Sequence, residues 1–257
     1  MTTTPSETRE SEHPVLSRRE RTRAATIEEI KETALRLMHE QGTTDLRFSD
    51  IAREMGMTAP ALYRYFADRD ELLTALIADA YDDLAVAVEE ARSQVPVEDP
   101  TGRWHAVSQA YRAWASREPQ QFALIFGMPV PGYVAPDAGP TTEACRRAIG
   151  ALKALFFEAM AQGVLGRPLI REVGESFATA LQEDHDAKHA DEPVIEPETF
   201  QSMLQCWASL HGFTSLEAYG HLQFLPEEAR DTLFEANVRL TAITAGLPLP
   251  ADPSKQE

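Results

Sequence analysis

Two short apolar-faced segments joined by a four-residue turn limit most strongly how this chain can fold. Phe48, Ile51, Ala52 and Met55 stand at i, i+3, i+4 and i+7, the spacing of one helix face. Gly56 ends that helix, and Met55-Gly56-Met57-Thr58 leaves room only for a tight turn. Thr58 can cap a third helix, with Pro60 in its first turn, where a missing N–H costs nothing. Upstream, Ile27, Ile30, Ala34, Leu37 and Met38 predict a first helix that Gly42 ends. Downstream, Asp68 followed by Glu71 is a capping box opening a long fourth helix through about Ala91.

The remainder also reads as helix. Pro96 to Pro100 is a break. Trp104, Val107, Tyr111 and Trp114 recur at helical intervals, and Gln120 to Phe126 is a short apolar helix. Gly127 to Pro140 is rich in Pro and Gly and predicts a shaped loop. Helices are predicted over Thr142–Leu165, Pro168–Gln182 and Glu227–Ala245, with a polar, acidic loop over Glu183–Pro197. Phe200, Met203, Leu204, Trp207 and His211 form one helical stripe. No strand alternation or internal repeat stands out. The expected fold is all-α, an N-terminal three-helix domain followed by a C-terminal helical bundle. The expected division is a disordered tail at 1–17, the first domain at 18–80, the second at 81–246 and a flexible tail at 247–257.

Composition excludes several classes. At 43% hydrophobic the chain can bury a core, yet no run is long and apolar enough to span a membrane. Met1 to Pro14 lacks the apolar centre of a secretory signal, so a cytoplasmic location is expected. Cys145 and Cys206 lie far apart and read as reduced thiols. His185 and His189 have metal-ligand spacing, but their acidic, Pro-bounded segment reads as a solvated loop, and no metal or other cofactor is expected. There is no nucleophile elbow, phosphate-binding Gly-rich loop, HExxH or CxxC, so enzyme chemistry is not expected.

The turn between the second and third helices is the helix-turn-helix plan, in which the second of the pair enters the major groove of double-stranded DNA. Leu62 and Phe66 face the core and leave Ala59, Pro60, Tyr63 and Arg64 outward. Small residues permit close approach to base edges, and Arg64 can reach a guanine or a phosphate. The hydroxyls of Tyr63 and Tyr65 can bond phosphate oxygens. Arg69 adds charge at a helix start. The net charge of −17 is unevenly spread, with Arg18, Arg19, Arg21 and Arg23 clustered early.

The stretch Leu46 to Leu72 resembles the N-terminal domain of the TetR family of bacterial regulators. Asp50-Ile51-Ala52, the Gly56 turn, Leu62-Tyr63-Arg64-Tyr65-Phe66 and Arg69-Asp70-Glu71-Leu72 carry the likeness, which covers about residues 20–80. The family often has Thr or Ser where Arg47 stands, a basic residue at Ser49 and Lys at Arg69. Here Arg47 gains a possible phosphate contact in place of a cap. The resemblance implies a homodimer that binds a palindromic operator, with DNA contacts from Arg47, Thr58, Ala59, Pro60, Tyr63, Arg64, Tyr65 and Arg69, and release by a small effector. Repression is the family's default.

The second half is aromatic, which suits a hydrophobic or aromatic effector. Candidate pocket residues are Trp104, Tyr111, Trp114, Phe126, Met128, Phe156, Met160, Trp207 and His211. Ile125 to Pro136 and Cys206 to Phe213 resemble one C-terminal subtype of the family, marked by Trp-x-x-x-His-Gly. Trp207 and His211 share a helix face. Gly212 costs about 1 kcal/mol against Ala in mid-helix, which a close helix approach would justify. The last two long helices, with Ala208, Ser209, Ala218, Ala229, Leu233, Ala236, Asn237 and Leu240, are the expected dimer seam. The competing reading is a helical interaction module that no longer reads an operator.

Overall fold

A computed structural model describes residues 17–44, 46–136, 138–188 and 194–248. Those residues form ten α-helices and no strand. In order they are α1 (Arg18–Gln41), α2 (Phe48–Glu54), α3 (Ala59–Leu62), α4 (Arg69–Ser93), α5 (Pro100–Arg117), α6 (Pro119–Phe126), α7 (Pro140–Ala161), α8 (Glu175–Lys188), α9 (Pro197–Ala218) and α10 (Glu227–Thr244). The chain divides into two compact units between Leu72 and Leu73, near the start of α4.

In the first unit, α1 begins well before the apolar periodicity does. Ser17 caps it: the Glu20 amide donates to Ser17 Oγ at 3.3 Å, and the Ser17 amide donates to Glu20 Oε2 at 2.7 Å. Its first turns are exposed, so they carry no apolar stripe to read. The arginine cluster at 18–23 is therefore helical. Gly42, at φ +62°, ends the helix in the left-handed conformation. Ile30, Ala34, Ile51, Ala52, Leu62 and Phe66 form the core.

In the second unit α5 is central. Trp104, Val107, Ser108, Tyr111, Trp114 and Ala115 form its buried stripe. It packs against α6, α7, α9 and α10. Buried indoles need partners for their N–H groups. Trp104 Nε1 donates to Val238 O and Thr241 Oγ1, both at 3.1 Å, and Trp114 Nε1 donates to Asp83 Oδ2 at 2.8 Å. Arg112 ties α5 to α9 and α10: it donates to both Glu217 oxygens at 2.6 Å and pairs with Asp231 at 2.8 Å. Its guanidinium lies 4.7 Å from the Phe234 ring centre.

Several expectations are corrected. Residues 168–174 are not helical, and α8 starts at Glu175 and runs on to Lys188, through part of the expected acidic loop. Backbone bonds tie the stretch 166–169 to the end of α10, Gly166 N–H to Gly246 O at 2.8 Å and Leu169 N–H to Thr244 O at 2.9 Å. The acidic part of α8 is largely exposed, so polar residues suit it. Regular α3 ends at Leu62, and Tyr63 to Tyr65 form a turn. Leu247, assigned to the tail, is buried in the second core. Among the described residues a Cβ on Gly212 would meet nothing within 4 Å, so a close helix approach there is expected only from a second copy. His189 lies outside the described residues, among which no metal-holding cluster occurs.

Two glycines give a test. Gly246 has φ +81°, and a Cβ there would lie 2.4 Å from Gly166 O. Gly150 sits inside α7 with open space around it. Gly246→Ala should cost about 1–3 kcal/mol, whereas Gly150→Ala should be neutral or stabilising by up to about 1 kcal/mol. Thermal unfolding of the two variants measures the contrast.

Candidate functional site

The helix-turn-helix is built on three buried side chains. Ile51 of α2 and Leu62 of α3 are fully buried, and Phe66 nearly so. Between the helices Gly56 takes φ +63°, which lets Met57 N–H reach back to Ala52 O at 2.8 Å. That short reversal points the start of α3 outward. Thr58 occupies the cap position in extended backbone, but its side chain makes no cap bond. Arg47 likewise precedes α2 without capping it. Asp68 does cap α4, accepting from Glu71 N–H at 2.8 Å, and Glu71 accepts from the Ala67 amide.

Arg47, Thr58, Pro60, Tyr63 and Arg64 are exposed, and Ala59, Tyr65 and Arg69 are partly so. Tyr63 is 54% exposed although its ring lies 5.1 Å from that of Phe48. It is supported from behind and open in front. Arg23 is a residue that sequence reasoning left in a general basic cluster. Its Nη1 donates to Arg64 O at 2.9 Å and its guanidinium stands 5.2 Å from the Tyr65 ring centre. One arginine of α1 thus fixes the backbone that carries Arg64. Residues 17–72 hold ten Lys and Arg against eleven Asp and Glu, close to neutral in a chain of −17. The strong negative charge lies elsewhere, which leaves this surface open to a polyanion.

The second unit holds an apolar cavity of about 220 Å³ walled by α5, α7 and α9. Of the expected pocket residues it gathers Trp104, Phe156 and Trp207. Leu152, Met203 and Lys153 also line it and were not foreseen as pocket residues. Met203 was legible in the stripe with Trp207; Lys153 was not, because no local pattern marks it.

Tyr111, Phe126 and His211 form a neighbouring cluster with Phe122. Phe126 and His211 have ring centres 5.0 Å apart. Trp207 stacks on His211 at 5.4 Å with the planes 10° apart, which is what their i, i+4 spacing anticipates. Trp114 joins this cluster through Phe122, ring centres 6.4 Å apart, while two expected residues, Met128 and Met160, lie outside both groups. Trp114 is fully buried core with its N–H satisfied by Asp83. Met128 is 85% exposed in the loop after α6, and Met160, half-buried near the end of α7, does not line the cavity.

His211 Nδ1 lies 2.9 Å from Tyr111 Oη and Nε2 lies 3.4 Å from Ser215 Oγ. Both contacts are satisfied when the ring is neutral, Tyr111 O–H donating to Nδ1 and Nε2–H donating to Ser215. Burial pushes the His211 pKa below its ordinary value of 6.5. The unfolded chain therefore binds this proton first, so stability falls as pH drops from 6.5 toward the folded value. Denaturation at pH 7 and pH 5 should show a smaller pH loss in His211→Gln than in wild type. An equal loss in both would remove His211 from the account.

Comparison with known proteins places these features. Residues 30–76 match the model for bacterial regulatory proteins of the tetR family, and residues 104–241 match the tetracyclin repressor-like C-terminal domain. The HTH-type transcriptional regulators Rv1816 of Mycobacterium tuberculosis and Mb1846 of Mycobacterium bovis are each 34% identical over 216 residues, 82% of this chain and 88% of theirs. The crystal structure of SCO4313, described as a regulatory protein, is 34% identical with a TM-score of 0.67, covering 88% of this chain and 98% of that one. A TetR family structure from Shewanella shares the fold at 18% identity and TM-score 0.54, over 84% of this chain and 95% of its own. These relatives are regulators, not enzymes, and the chain belongs to the TetR family of DNA-binding transcriptional regulators.

Proposed function

We propose that this regulator is a repressor that binds a palindromic operator as a homodimer and is released by a small hydrophobic or aromatic effector. The observation that carries the reading is the outward surface of α3. Its first residues are small, Tyr63 and Arg64 in the turn that follows stand in solvent, and Arg23 holds the backbone carbonyl of Arg64. Such a surface suits base-edge contact from α3 with phosphate contacts from Arg47 and Arg69 at its margins.

Dimerisation is supported by apolar residues left uncovered on the last two helices. Leu204 and Leu216 on α9, and Leu233, Leu240 and Ile243 on α10, are each at least 40% exposed. The space beside Gly212 would admit a partner helix. Two copies joined there present two recognition helices to half-sites one helical turn apart.

An effector filling the α5–α7–α9 cavity would move α7 against its neighbours. α7 is bonded to α4 by Arg147 Nε to Asp82 Oδ1 at 2.9 Å and by Glu158 to Arg92. α4 is one continuous helix back to Arg69. A shift of α7 therefore acts on α4, and an effector changes operator affinity by as much as it prefers one state over the other.

Arg64→Ala should weaken operator binding by about 1–3 kcal/mol and relax specificity at one base position, as read by fluorescence anisotropy. Binding unchanged in Arg64→Ala would favour the interaction-module reading. Leu240→Glu should shift the protein from dimer to monomer in sedimentation velocity and weaken operator binding with it. A dimer that survives this change would place the seam elsewhere.

A further inference from the structure

The apolar cavity has a neighbour that shares part of its wall. A second cavity, of about 250 Å³, lies among α7, α8 and the segment leading into α9. Lys153 and Phe200 line both. The two differ in character: the inner one has almost pure carbon walls, while the outer one includes Gln182, Asp184, His185 and Glu196.

Lys153 is placed where the two chemistries meet. Among the described residues its ammonium has no ion pair and no hydrogen bond, in a chain that carries 41 Asp and Glu against 24 Lys and Arg. Acids find cations throughout this unit; Glu158 alone holds Arg92 and Arg103. A cation that meets no acid among the described residues, on the shared wall of two cavities, is suited to an anion that arrives with a ligand.

Resting on the effector reading above, we propose that the ligand is an amphipathic monocarboxylate. Its hydrocarbon part fills the carbon-walled cavity beside Trp104, Phe156 and Trp207, and its carboxylate pairs with Lys153. A carbon-walled chamber rewards apolar area at about 25 cal/mol per Å² and penalises any polar group left unbonded. The head must therefore stop at the lysine. Asp184 and Glu196 on the outer cavity repel further negative charge, which selects one carboxylate over two.

The protein carries its own reporter. It has three tryptophans, and two of them, Trp104 and Trp207, line the inner cavity. Quenching of tryptophan emission in the full chain at pH 7.5 is measured with decanoate, decanol and decanedioate, for wild type and Lys153→Met. Decanoate should bind about tenfold or more tightly than decanol or the diacid. Lys153→Met should lose that preference while still binding decanol measurably, and a far-UV circular dichroism spectrum and melting temperature matching wild type report an intact fold. Equal binding of decanoate and decanol by wild type, or a decanoate preference that survives in Lys153→Met, overturns the role given to Lys153 and leaves the apolar cavity as the effector site. No quenching by decanoate or decanol overturns the effector reading and this proposal with it.

Discussion

Burial of the aromatic stripe on α5 is the constraint from which the second unit follows. Trp104, Tyr111 and Trp114 leave almost no surface to water, and truncating one such ring typically costs about 3–5 kcal/mol. Their polar atoms restrict the solution further. Trp104 must reach α10, Trp114 must reach α4, and Tyr111 must reach His211 on α9. Three hydrogen bonds from one helix thus set the positions of three others. The apolar cavity is what remains where α7 and α9 meet the far edge of the same stripe, which is why Trp104 belongs to both core and cavity.

Charge acts differently in the two units. In the second, Arg112 lies between Glu217 and Asp231 with a ring beneath it, and Arg103 donates through Nε to Val95 O at 2.9 Å while pairing with Glu158. Removing one partner from such partly buried sets leaves a charge without compensation, so they fix geometry more than they add stability. In the first unit Arg23 spends its guanidinium on a backbone carbonyl and a ring, which leaves Arg64 facing solvent.

The sequence was most legible where side chains are buried at regular spacing. The helix-turn-helix could be read because Ile51, Ala52, Leu62 and Phe66 are core and Gly56 marks the turn. The Trp207–His211 stack followed from i, i+4 spacing. Exposure hid other features. The first turns of α1 and the acidic end of α8 bury little, so periodicity gave no sign of them. Leu247 looked like tail because its partners are distant in the chain. Lys153 was invisible for the same reason: its meaning depends on two cavities assembled from three or more helices. Among the aromatic residues, composition alone did not separate core such as Trp114 from cavity wall such as Trp207.

A surface held by Arg23, the uncovered apolar residues of α9 and α10 and the cavity beside α7 are the parts of the proposed switch between DNA and a small molecule. The claim at its centre is that paired recognition helices read a symmetric sequence. Selection from a random DNA pool with the purified protein, followed by binding of the enriched sequence across a salt series, tests it most directly. The account predicts a palindrome with half-sites about one helical turn apart and an affinity that falls steeply with salt. An unenriched pool, or shallow binding blind to sequence, would contradict it.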